Sequence, residues 1–205
     1  MFSQLRARSS VLRTTELNRD IGTPRRRLDL HKDTMHWAVE ELSRILQSPA
    51  DGGDTVDWDA LRAETGWELP ADYRDFVAVY GLGGVSDSIG ILTPPFDGYP
   101  YGDHLLHGAQ WPPAEGTLTW ASNEVGDDFL WRCTGEPDEW RVVLRPRDRR
   151  RDHEYDMGMA EFLLRLVRRD IRPPLGAELE LPATFESWRD EDRRLLDEDG
   201  YLEGF

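Results

Sequence analysis

The chain has a single cysteine, no long apolar run and no phosphate-binding glycine motif. Cys133 by itself cannot close an intramolecular disulfide, so the fold has to rest on its core, and a reducing cytoplasmic setting is expected. No stretch approaches the roughly 18 consecutive apolar residues that a membrane helix needs. The N-terminus is basic but has no apolar region behind it, which argues against a secretory signal. Gly81, Gly83 and Gly84 follow a helical stretch instead of opening one, and no Lys-Ser/Thr comes after them, so they are read as a turn and not as a nucleotide site. Asp103, His104 and His107 invite a metal reading, but their segment is Pro/Gly-rich and the histidine pair has no further strong ligand placed nearby, so no metal or other cofactor is expected.

Acidic charge is in excess. The formal net charge is −15 over 205 residues. Residues 1–32 carry eight positive groups and three negative ones, a net +5, which leaves −20 for the rest. With no apolar period and the run Arg25-Arg26-Arg27, residues 1–32 read as a disordered basic arm. The acidic remainder should repel nucleic acid and membrane surfaces and attract a basic protein. Solubility alone is the plainer reading of the same charge. Nothing in the sequence fixes an oligomeric state.

Length and composition fit one domain with tails: a body over 33–172 and an acidic extension over 173–205, whose Phe185 and Trp188 suggest that it docks. A first helix should start near Asp33 or Thr34, with Met35, Val39, Leu42, Ile45 and Leu46 on its buried face. Asp57 can cap a second helix that stops at Gly66, and Pro70 can start a third. In that third helix Tyr73, Phe76, Val77 and Tyr80 form one stripe, and Asp72 suits the dipole of the first turn.

After a short strand at 89–92, three segments alternate with a period of two: 117–122, 129–133 and 140–144. Short turns between them indicate an antiparallel meander with Trp120, Trp131, Cys133 and Trp140 in the core. A further strand over 153–157 and a helix over 158–170 close the body. The fold class is therefore α+β, with N-terminal helices packed on a mostly antiparallel sheet.

Two places could meet a partner. The Pro/Gly-rich loop at 93–107 carries Phe96, Asp97, Tyr99, Tyr101 and Asp103, and its aromatics either cover the core or face a partner. The turns around 123–139 hold Glu124, Asp127, Asp128, Glu136, Asp138 and Glu139, either as a solvated rim or as a patch for a basic protein. Their spacing fits no Ca²⁺ loop.

Gly66-x-x-Leu69-Pro70-x-Asp72-Tyr73-Arg74-x-Phe76, followed by Tyr80-Gly81 and Gly83-Gly84, resembles the signature of the SUKH superfamily. The superfamily's founders are the fungal Smi/Knr cell-wall-assembly regulators. Asn123-x-x-Gly126-Asp127, Trp131, Trp140-x-Val142-Val143 and Phe162-Leu163 are similar to its later elements and come in the right order. The resemblance covers roughly 33–172. It implies an α+β fold with no catalytic residues. It also implies a cytoplasmic binding role, either as an immunity protein that neutralises a basic, nuclease-type toxin or as a regulatory scaffold. An enzyme would need the carboxylates at 124–139, or the His104/His107 pair, to converge in one pocket.

Overall fold

Three short helices precede the sheet in the computed structural model, which describes residues 34–93, 116–176, 178–191 and 193–194. Helix α1, Trp37–Ser43, is capped by His36, whose Nδ1 accepts from the Ala38 N–H at 3.3 Å. It starts later than the sequence suggests and ends before Ile45. Met35 and Ile45 thus lie outside its helical phase, and both are 43% exposed instead of buried. Ala38, Val39 and Leu42 form its buried side.

Helix α2, Trp58–Thr65, follows its expected signals. Asp57 Oδ1 accepts from the Ala60 N–H at 2.9 Å, and Gly66 ends the helix at φ 76°, a left-handed cap that favours glycine. Helix α3, Ala71–Val79, begins after Pro70. Its stripe of Tyr73, Phe76 and Val77 is fully buried.

Strands β1 (Gly83–Val85), β2 (Ile89–Ile91), β3 (Thr117–Asn123), β4 (Asp128–Arg132), β5 (Arg141–Arg145), β6 (His153–Tyr155) and β7 (Phe185–Ser187) make one sheet. Its order is β6-β5-β4-β3-β2-β1-β7, and every neighbouring pair is antiparallel. The architecture is α+β. Helix α4, Met159–Val167, packs with α1 and α3 against one face. Trp120 and Trp131 are fully buried between these layers, and Trp140 is 2% exposed. The Tyr73 ring meets Trp131 edge-on, with centroids 5.1 Å apart, and so ties α3 to β4.

Three further features depart from the sequence reading. The glycines after α3 do not form only a turn: Gly83 and Gly84 begin strand β1, between β2 and β7. A Cβ at Gly83 would collide with the Glu186 carbonyl of β7, so glycine there permits close strand approach. The β3–β4 register shifts at Trp120, so Trp120 and Ala121 are buried in succession and simple alternation fails. Cys133 lies just past β4 and is half-buried, and burial pushes its thiol up to about 12.

Candidate functional site

The second face of the sheet carries a row of paired positions that runs Glu186, Gly84, Gly90, Ser122 and Asp128 from β7 to β4. Three consecutive small residues in that row leave a trough. A cleft of about 460 Å³ opens there, floored by Gly84, Gly90, Leu92 and Ser122. One wall is the turn between β1 and β2, with Asp87 and Ser88, together with Glu124 after β3. The opposite wall is the C-terminal segment, with Glu186, Trp188, Glu191 and Arg194. Among the described residues, four carboxylates and one guanidinium line the cleft.

The local structure holds these walls firmly. Ser88 Oγ donates to Glu124 Oε2 at 2.9 Å and joins two turns at the same end of the sheet. Strand β7 pairs with β1, and the Ser86 N–H donates to the Thr184 carbonyl at 2.8 Å. Arg189 then reaches behind the sheet edge, with Nη2 2.9 Å from Asp54 Oδ1 and 3.0 Å from the Gly53 carbonyl. Asp54 Oδ2 accepts from the Leu82 N–H at 2.6 Å. Burial raises the Asp54 pKa, and the Leu82 N–H and Arg189 oppose that rise. Within the cleft, Arg194 Nη1 lies 2.8 Å from Glu186 Oε1.

The acids singled out from the sequence do not share one surface. Successive turns of a meander lie at opposite ends of its strands, so β4 separates Glu124 and Asp127 from Glu136, Asp138 and Glu139. Five residues at about 3.3 Å each put roughly 16 Å between the two groups. Glu124 lines the cleft and is exposed. Asp127 is only 2% exposed and serves as an internal brace. Its carboxylate accepts from the N–H groups of Gly176 at 2.7 Å and Arg147 at 2.9 Å, and from the Asn123 amide at 2.9 Å. Burial opposes its charge, but these donors outweigh burial and hold the carboxyl below its ordinary range.

Asp128 is half-buried and sits 3.8 Å from Arg149. Asp138 Oδ1 accepts from the Ala71 N–H at 2.7 Å and so caps α3. Glu139 Oε2 accepts from the Glu136 N–H at 3.2 Å within their own turn. Asp72 stands in the first turn of α3 as expected, and it also accepts from the Ala160 N–H at 3.0 Å and so caps α4. Phe96, Asp97, Tyr99, Tyr101 and Asp103, like His104 and His107, lie outside the described residues.

Sequence reasoning missed Asp87, Glu186, Trp188 and Glu191 as neighbours. Only the docking of Trp188 was signalled, by an aromatic in an otherwise acidic tail. Among the described residues no group of three His, Cys, Asp or Glu side chains is placed to hold a metal ion, and no helix is long and apolar enough to cross a membrane. No protein-family model matches the chain, and no curated protein or solved structure matches it either.

Proposed function

We propose that this chain is a non-enzymatic binding protein of the cytoplasm. In this reading it is an immunity-like inhibitor of the SUKH class that binds and neutralises a basic, nuclease-type toxin domain. The observation that carries the proposal is the acidic cleft, where Asp87, Glu124, Glu186 and Glu191 stand around a floor of small strand residues. A basic nucleic-acid-binding surface is complementary to it, and long-range attraction would speed the encounter. The Gly66–Gly84 signature supports the family, and the internal use of Asp54, Asp72 and Asp127 leaves them as braces instead of acid–base catalysts. Separation of the two acidic turns by β4 also disfavours an enzyme built on them.

A search of the neighbouring genes for a nuclease-type toxin domain, followed by co-expression of that domain with this chain, tests the proposal. The expected result is restored growth and a stable complex on gel filtration. Unrelieved toxicity without a complex overturns it.

A further inference from the structure

We infer that the cleft is a guanidinium site, which takes an arginine side chain of a basic protein partner against Trp188 and among Glu124, Glu186 and Glu191. The inference rests on the proposed binding of a basic protein and names the group that is read.

Three observations converge on it. The first is Gly84. A glycine inside a strand weakens it and needs a reason. At Gly83 the reason is the Glu186 carbonyl, and at Gly90 a Cβ would stand 3.3 Å from Trp188 Cζ2. Gly84 has no such reason: a Cβ there would meet, among the described residues, only the Asp87 Cα at 3.9 Å. Gly84 is itself buried and lines the cleft floor, so among the described residues no close contact accounts for its missing side chain, and a larger residue there would narrow the cleft.

The second is that the cleft already holds the chemistry it would bind. Arg194 rests on Glu186 from the same wall, with the two side chains 55% and 32% exposed. An ion pair so open to water is worth little and can be exchanged. The third is the uneven balance of charge. Asp87 and Glu191 have no ion-pair partner among the described residues, and the Glu124 carboxylate is held by a neutral hydroxyl, Ser88. Arginine suits this setting better than lysine. Its planar guanidinium can engage a carboxylate through two N–H groups while its face lies on an indole.

The test uses the full chain at about 0.15 M salt, near the physiological range. A fluorescein-labelled hexapeptide of alternating Gly and Arg is titrated against its Gly-Lys counterpart by fluorescence anisotropy. The arginine peptide should bind at least about fivefold more tightly, as expected for a stacked, bidentate cation. Gly84→Val fills the floor with a strand-favouring side chain. It should abolish that preference, with a cooperative thermal transition showing that the variant is folded.

Should Gly84→Val fail to fold, Glu191→Gln carries the test, with an expected loss of about threefold in arginine-peptide affinity. Equal binding of the two peptides, or variants that leave the preference intact, overturns the inference. A toxin complex that survives Gly84→Val unchanged removes the guanidinium site and keeps the inhibitor. Arginine selectivity with no toxin complex does the reverse.

Discussion

Asp72 and Asp127 look alike in sequence, both as acids near element ends, yet their environments move them in opposite directions. Asp127 gains three donors and is held below its ordinary range. A carboxyl whose folded pKa is lowered adds stability that is present above its unfolded pKa and lost as the pH falls through the folded value. Asp127→Ala strands the N–H groups of Arg147 and Gly176. It should cost about 2–3 kcal/mol in urea unfolding at neutral pH, and the cost should shrink toward strongly acidic conditions. Asp72 is dominated by burial, which raises its pKa against the opposing Ala160 N–H. Its ionised form is therefore disfavoured in the fold, and stability declines as the pH rises through the raised value. Asp72→Asn keeps an acceptor for Ala160 without the charge. Relative to wild type it should gain stability as the pH rises above the ordinary carboxylate range, whereas Asp72→Ala should lose about 1 kcal/mol of helix capping. Paired urea titrations across that rise in pH read both variants, and a flat Asn-minus-wild-type difference would contradict the sign.

At the level of elements, local signals were legible and long-range pairing was not. Asp57, Gly66 and the stripe of Tyr73, Phe76 and Val77 act within one turn of themselves, so α2 and α3 could be read directly. The alternation in 117–144 revealed the meander for the same reason. Strand β1 was hidden because its glycines make sense only once β7 arrives from about a hundred residues further along the chain. The cleft was hidden with it, since one of its walls is that same segment. The C-terminal segment is anchored by Arg189, whose partner Asp54 has a side chain only 1% exposed. Arg189→Ala leaves that carboxylate without its cation. A loss of about 1–3 kcal/mol is expected, tempered by the partial exposure of the arginine. Asp54→Asn in the Arg189→Ala background should recover part of it, and a double-mutant cycle by urea unfolding measures the coupling. Additive effects would mean that the strap is held by β7 pairing alone.

Across the whole molecule, net charge and shape divide the work of binding. The acidic excess acts at a distance and is screened within about 8–10 Å at physiological salt. It therefore governs how fast a basic partner arrives, whereas close contacts in the cleft govern how long it stays. Counting acids along the sequence could not separate these roles, because it placed Glu124 and Glu136 in one patch when β4 stands between them. Their positions make the division measurable with the toxin domain by surface plasmon resonance. Raising salt from about 0.05 to 0.5 M should lower the association rate at least tenfold and change dissociation by less than about threefold. Glu136→Gln, exposed at the far end of β4, should slow association alone. Glu191→Gln, inside the cleft, should chiefly hasten dissociation. If Glu136→Gln and Glu191→Gln shift the same rate constant by the same factor, the carboxylates act only as diffuse charge. The cleft would then have no share in holding the partner.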